Sequence, residues 1–130
     1  MEAHLHIEHL ALWTRDLDRL RGFYETYFGA TANDRYRSKR RPFESYFLTF
    51  ATGARLELMR LEGIDEERSE HALGYAHLAL ATGSCEAVDT LIERLRADGH
   101  RILSEPRTTG DGYYEGVVAD PDGNEIEITV

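Results

Sequence analysis

The pattern of apolar and polar positions runs twice through the chain. Residues 9–14, His-Leu-Ala-Leu-Trp-Thr, return 68 positions later as residues 77–82, His-Leu-Ala-Leu-Ala-Thr. Residues 53–58, Gly-Ala-Arg-Leu-Glu-Leu, return 70 positions later as residues 123–128, Gly-Asn-Glu-Ile-Glu-Ile. Such self-similarity is typical of a duplicated structural unit. We therefore predict a single domain, residues 1–130, built from two modules at 4–61 and 73–130 with an acidic linker at 62–72.

Within each half, the periodicity of apolar residues predicts one strand, one helix and then three strands. In the first half, Asp16 or Asp18 caps a helix that ends at Gly29. In the second half, Ser84 caps a helix that ends at Gly99. The predicted strands lie at 5–13, 44–50 and 55–61, and then at 75–81, 101–104, 113–119 and 124–130, with a loop at 106–112. Paired βαβββ modules of this kind predict an α+β fold, in which a curved mixed sheet encloses a cavity and carries its helices outside.

Strand parity predicts which side chains share a surface, because successive side chains point to opposite faces. The aliphatic residues beside each repeated His and Glu are expected to pack under the helices. The residues left facing the cavity are His9, Glu57, His77 and Glu127. Carboxylates in a cavity need a compensating charge, and two imidazoles with two carboxylates suit Zn²⁺, Ni²⁺, Co²⁺, Mn²⁺ or Fe²⁺. Four protein ligands leave an octahedral ion room for water or substrate, as a catalytic site requires.

Composition narrows the setting of this site. A formal charge of −9 argues against a nucleic-acid partner, since phosphate binding requires a basic surface. The chain has no apolar run long enough for a membrane span, and its N-terminus does not resemble a signal peptide. The lone Cys85 cannot form an internal disulfide, which favours a reducing cytoplasm.

The ordered motifs resemble the vicinal oxygen chelate superfamily, whose members are built from paired βαβββ modules. It includes glyoxalase I, extradiol dioxygenases, methylmalonyl-CoA epimerase, fosfomycin-resistance enzymes and bleomycin-binding proteins. The resemblance covers nearly the whole chain. The segments that carry it are His9 with Asp16-Leu17 and Phe23-Tyr24, then 53–59, 75–80 and 120–127. Among the members, glyoxalase I matches the set of two histidines and two glutamates best.

The resemblance implies a lactoylglutathione lyase-like metalloenzyme, a lyase or isomerase that works as a homodimer on a small molecule. The metal, Ni²⁺ or Zn²⁺ before Co²⁺, Mn²⁺ or Fe²⁺, would stabilise an enediolate formed from a hydroxycarbonyl compound or hemithioacetal. Glu127 is the predicted base, with Glu57 the second candidate. The alternatives are another metal-dependent reaction of the superfamily (epimerisation, thiol transfer or ring cleavage by a dioxygenase) and a non-catalytic binding or bleomycin-resistance protein.

Substrate recognition has to come from residues that differ between the two halves or have no counterpart. Bacterial glyoxalase I has an Arg four residues after its first His and an Asn four residues after its first Glu, both of which help to hold glutathione. This chain has Trp13 and Leu61 there, so the thiol is left open. The predicted substrate contacts are Trp13, Arg107, Tyr113 and Tyr114. A basic loop at 35–41 either guides an anionic substrate or is a solvated loop, and Glu44 is an additional acid or base if its strand faces the cavity.

Overall fold

A computed structural model of the chain describes residues 3–69 and 71–130. It divides the chain into two compact units, and the boundary falls between Glu67 and Arg68. This boundary lies inside the segment predicted as the linker, 62–72, of which residue 70 is outside the described residues.

The first unit is one helix packed on a mixed sheet. Its elements are β1 (His9–Trp13), α1 (Leu17–Phe28), β2 (Thr31–Ala32), β3 (Tyr36–Arg37), β4 (Phe43–Thr49) and β5 (Arg55–Leu61). The order in the sheet is β1-β5-β4-β2, and β3 also pairs with β4. The β1–β5 pair is parallel, and the pairs of β4 with β5, β2 and β3 are antiparallel.

Of the two caps that the sequence allows for helix α1, Asp16 and Asp18, the structure uses Asp16, and the helix ends at the predicted Gly29. The Asp16 side chain accepts a hydrogen bond from the backbone N–H of Arg19, which satisfies one of the free donors of the first turn. Gly29 ends the helix with φ of 65°, a left-handed conformation that glycine adopts without strain. The helix buries Leu20 and Tyr24 completely or nearly so.

The second unit repeats this plan. Its elements are β6 (His77–Ala81), α2 (Cys85–Ala97), β7 (Ile102–Thr108), β8 (Tyr114–Ala119) and β9 (Glu125–Thr129). The order in the sheet is β6-β9-β8-β7, with a parallel β6–β9 pair and antiparallel β9–β8 and β8–β7 pairs. The Ser84 side chain caps helix α2 by accepting a hydrogen bond from the N–H of Ala87.

The burial of the strands confirms the predicted parity. Leu58, Ile126 and Ile128 are fully buried and Leu56 nearly so, on the sheet faces that the helices cover. At 20–30 cal/mol per Å² of apolar surface, burying such side chains stabilises a fold by about 1.5–3 kcal/mol each. The α+β class and the paired βαβββ architecture, with a helix outside each sheet, are confirmed. Each unit has a mixed sheet of its own.

Several boundaries differ from the prediction, in each case because strand pairing decides them. Strands β1 and β6 begin only at His9 and His77, where their partners β5 and β9 begin. Strand β7 runs on to Thr108 through the predicted loop; Pro106 is tolerated because β7 is an edge strand with irregular register. The short strands β2 and β3 are too brief to give a periodic signal. No helix in the described part of the chain is long and apolar enough to cross a membrane.

Candidate functional site

The first unit places His9 and Glu57 side by side on the sheet face opposite α1. In the parallel β1–β5 register, Ala11 is the partner of Glu57, so His9 is its diagonal neighbour on the same face. Nε2 of His9 lies 3.7 Å from Oε1 of Glu57. The ring of Phe47, which pairs with Glu57 from β4, packs edge-on against the imidazole with 5.2 Å between centroids. The strand pairing therefore fixes this His–Glu pair.

Glu8, which sequence reasoning did not select, contacts His9 from the side away from Glu57. Nδ1 of His9 lies 3.1 Å from Oε1 of Glu8, while Arg55 holds the same carboxylate through Nη2 at 2.5 Å. The Arg55 guanidinium and, after it, the His9 ring lower the pKa of Glu8 below its ordinary value. In the tautomer with its proton on Nδ1, His9 donates to this carboxylate and its Nε2 lone pair is on the side of Glu57; carboxylates behind histidine ligands of metals orient the ring in this way.

The second unit contains the equivalent pair. Ala79 is the partner of Glu127 in the parallel β6–β9 register, which makes His77 its diagonal neighbour. Nε2 of His77 lies 3.2 Å from Oε2 of Glu127. The positions that match Glu8 and Arg55 in the first unit hold Ala76 and Glu125 here. The two pairs therefore share their geometry and differ in what surrounds them.

The donor atoms of the second pair are spaced as two ligands of one ion would be, and those of the first pair lie slightly further apart. Two atoms about 2.1 Å from an ion and about 90–110° apart are separated by about 3.0–3.4 Å, and the observed separations are 3.7 and 3.2 Å. Imidazole nitrogen with carboxylate oxygen is also a donor set that borderline divalent ions accept. Among the described residues, no group of three or more His, Cys, Asp or Glu side chains is arranged to hold an ion. Each pair by itself therefore offers one imidazole and one carboxylate.

Glu115 is a further acidic residue beside Glu127 that sequence reasoning missed. It lies on β8, and its parity places it on the same face as Val117, the β8 partner of Glu127. Burial, followed by a hydrogen bond and charge repulsion with Glu127, raises the pKa of Glu115 above its ordinary value. The sequence does show that Glu115, Val117 and Ala119 share one face of β8. That this face is also the face of Glu127 depends on the pairing of β8 with β9.

The four predicted substrate contacts are distributed over different surfaces. Trp13 is on the same face as His9, and Arg107 is the strand partner of Glu115 and so shares the face of Glu127. Tyr113 is exposed in the loop before β8. Tyr114 has the opposite parity and lies on the side of α2, where its hydroxyl donates a 2.5 Å hydrogen bond to Asp89 that raises the pKa of Tyr114 to about 12. We therefore leave Tyr114 out of the site.

Two arginines of the basic loop at 35–41 form ion pairs within the first unit. Arg35 pairs with Asp18 at 2.7 Å, and both Arg35 and Arg37 pair with Glu44 at 3.4 and 3.2 Å. Glu44 is the partner of Arg60 in β5 and has the opposite parity to Glu57. It therefore lies on the face away from His9, occupied by structural ion pairs.

Two βαβββ units, each with a His–Glu pair on the face opposite its helix, define a small class of duplicated α+β proteins. The family model of the Glyoxalase/Bleomycin resistance protein/Dioxygenase superfamily matches residues 6–128. The chain belongs to this superfamily, as the sequence motifs indicated.

Solved structures and one curated protein are similar to the chain. A V278E mutant of glyoxalase I from Zea mays shares 26% identity with a TM-score of 0.79, over 95% of this chain and 44% of that one. A glyoxylase/bleomycin resistance protein/dioxygenase domain from Frankia sp. EAN1pec shares 20% identity with a TM-score of 0.85, over 98% of both chains. The uncharacterized protein YqjT of Bacillus subtilis (strain 168) is 34% identical over 68 residues, which are 50% of this chain and 53% of YqjT.

Proposed function

We propose that the protein is a metal-dependent, glyoxalase I-like lyase or isomerase. The observation that carries this proposal is the matched pair of His9 with Glu57 and His77 with Glu127, at the same register position of each sheet. The proposal requires the two pairs to share one divalent ion, either within one chain or between two chains of a homodimer. Membership of a superfamily whose similar structures include glyoxalase I supports it.

The ligands of the ion would be His9, Glu57, His77 and Glu127. Two neutral imidazoles and two carboxylates give the site a charge near zero with a divalent ion, which offsets the cost of placing carboxylates on an apolar face. When bound, the ion would hold two vicinal oxygens of a substrate and stabilise the negative charge that develops on them. The donor set fits Ni²⁺ or Zn²⁺, and also Co²⁺, Mn²⁺ or Fe²⁺.

The protein's own part in the chemistry is to move a proton between adjacent carbons. A glutamate in contact with substrate would take the proton from the carbon next to the carbonyl and return it to the neighbouring carbon. Glu127 is our first choice for this base and Glu57 the second. Glu115 supports the choice, because its side chain forms a hydrogen bond with Glu127 and so places a second acidic group beside the proposed base. Glu57 has Phe47 as its strand partner instead.

Metal uptake by the purified protein tests the proposal. After removal of metals by a chelator, titration with Ni²⁺, Zn²⁺, Co²⁺ or Mn²⁺ should reach one ion per chain, whether the site lies within a chain or in a homodimer. His77→Gln should weaken uptake strongly, whereas His6→Gln, an exposed histidine outside both pairs, should not. Uptake that is absent, or equally affected by both substitutions, would favour a metal-free binding protein of the same superfamily.

Activity on methylglyoxal with several thiols then separates the enzymatic alternatives. The lyase proposal predicts thiol-dependent conversion that requires the added ion. A protein that binds metal but leaves methylglyoxal unchanged with every thiol would instead belong with the epimerases, thiol transferases or dioxygenases.

A further inference from the structure

Three aromatic side chains and an arginine gather at one end of the first sheet, and we call them the aromatic platform: Trp13, Tyr36, Phe43 and Arg41. The rings of Trp13 and Tyr36 each pack edge-on against Phe43, at 6.3 and 6.2 Å between centroids. The Arg41 guanidinium lies 4.5 Å above the Phe43 ring. Residues from β1, β3, β4 and the basic loop therefore converge on one ring.

The platform is exposed in a way that packing does not explain. Phe43 is nearly buried, but Trp13 and Tyr36 are 43% and 49% exposed. Exposed clusters of large aromatic side chains are unusual on soluble proteins and commonly mark a binding surface. Aromatic rings also bind planar groups with little loss of side-chain entropy, since they have only two rotatable bonds.

The charge beside the platform points to an anion. Arg35 and Arg37 are neutralised by Asp18 and Glu44. Within residues 3–69 and 71–130, no carboxylate lies within ion-pair distance of Lys39, Arg40 or Arg41. Three uncompensated positive charges in a chain of net charge −9 make this a local positive region.

The platform shares its sheet face with the first His–Glu pair. Trp13 has the parity of His9, and Phe43 has the parity of Phe47, the partner of Glu57. Tyr36 is the partner of Ser45, between those two phenylalanines. Four residues along a strand separate Trp13 from His9, or about 13 Å at 3.3 Å per residue. A ligand that reaches from His9 to Trp13 therefore needs an extended tail.

We propose that the aromatic platform binds a planar aromatic group that carries negative charge, at the end of the substrate remote from the reacting carbons. This inference rests on the proposed function, which places the reacting carbons of the substrate at the His–Glu pairs. The aromatic group lies against Trp13 and Tyr36, and its anionic substituent faces Arg41. The platform thus selects a substrate with an aromatic anionic tail.

The single tryptophan of the chain provides a local readout. We would titrate the full, metal-free protein with 4-nitrobenzoate, a contact quencher of indole fluorescence, and with the neutral 4-nitrobenzyl alcohol. Free N-acetyltryptophanamide corrects for collisional quenching and absorption. The expected result is saturable quenching of Trp13 by the anion and binding several-fold weaker for the alcohol.

Matched substitutions locate the binding. Arg41→Gln and Tyr36→Leu should each weaken 4-nitrobenzoate binding about three-fold to ten-fold. The exposed Arg101→Gln and Tyr75→Leu of the second unit make the same chemical changes away from the platform and its positive region, and should leave binding unchanged.

Linear quenching without saturation, equal affinity for the neutral alcohol, or equal effects of Arg101→Gln and Arg41→Gln would overturn the inference. So would binding that weakens as protein concentration rises, since a second copy of the chain would then cover the platform. Metal uptake measured on the same samples keeps the two proposals apart. Uptake without binding of the probe contradicts only the platform, whereas binding without uptake contradicts only the metal-dependent function.

Discussion

His9 presents one ring nitrogen to Glu8 at 3.1 Å and the other to Glu57 at 3.7 Å. Arg55 holds the Glu8 carboxylate in place. A carboxylate behind a histidine orients the ring before a metal binds. The first His–Glu pair of the proposed site has this support, whereas the second has Ala76 at the position that matches Glu8.

Glu8→Gln should therefore weaken metal binding although Glu8 is not a proposed ligand. The amide removes the charge that keeps the proton on Nδ1, and outer-layer substitutions of this kind typically cost about 10-fold to 100-fold in affinity. Competition with a chromogenic chelator measures the effect. Glu62→Gln, at an exposed position beyond β5, is the matched control. Equal affinities for both variants would mean that Glu8 does not orient His9.

Glu127→Gln should retain the ion while losing turnover by about 100-fold to 10,000-fold, the range that a general base contributes. The amide oxygen can still face the metal, but it cannot accept the substrate proton. Metal content and initial rate are measured on the same sample. Glu86→Gln, on the exposed first turn of α2, should change neither. An unchanged rate would transfer the role of base to Glu57.

Asp18→Asn should lower stability at neutral pH and have little effect in acid. Hydrogen bonds from Arg35 and, next, Tyr46 hold the pKa of Asp18 below the ordinary value of 3.8. A depressed pKa in the folded state stabilises the protein above that ordinary value, and the contribution is lost as the pH falls through the folded pKa.

Urea midpoints at pH 7 and near pH 3 measure this difference. The gap between the wild-type protein and Asp18→Asn should narrow in acid, while Asp34→Asn, an exposed residue in the same region, should track the wild type at both values. A gap that stays constant with pH would show that the ion pair with Arg35 is not its origin.

Gly116→Ala should destabilise the second unit by about 1–3 kcal/mol, the usual cost of overpacking. A Cβ at position 116 would collide with Cδ1 of Ile92 on α2 and approach the carbonyl oxygen of Ser104 to 3.2 Å. Gly110→Ala is the matched control, because a Cβ there meets nothing within 4 Å. Denaturant unfolding of both variants gives the comparison; equal stabilities would mean that α2 shifts freely on its sheet.

The amino-acid sequence alone was enough to predict the α+β class, the two βαβββ modules, the end of the first helix at Gly29, and the face of each repeated His and Glu, while it left the cap of that helix open between Asp16 and Asp18. These features depend on local rules: the period of a strand, the chemistry of a helix cap and the repeat itself. Strand parity is the alternation of successive side chains along one strand, so it can be predicted without knowing which strands pair.

Which side chains meet across strands could be learned only from the folded structure. The contacts of Glu8 with Arg55, of Glu115 with Glu127 and of the rings of the aromatic platform all join residues that are distant in sequence. They depend on pairing and register, which no local pattern specifies. Tyr114 illustrates the same limit: a one-residue difference from Glu115 places it under α2 instead of beside Glu127, and the start of β8 could be fixed only by its partner strands.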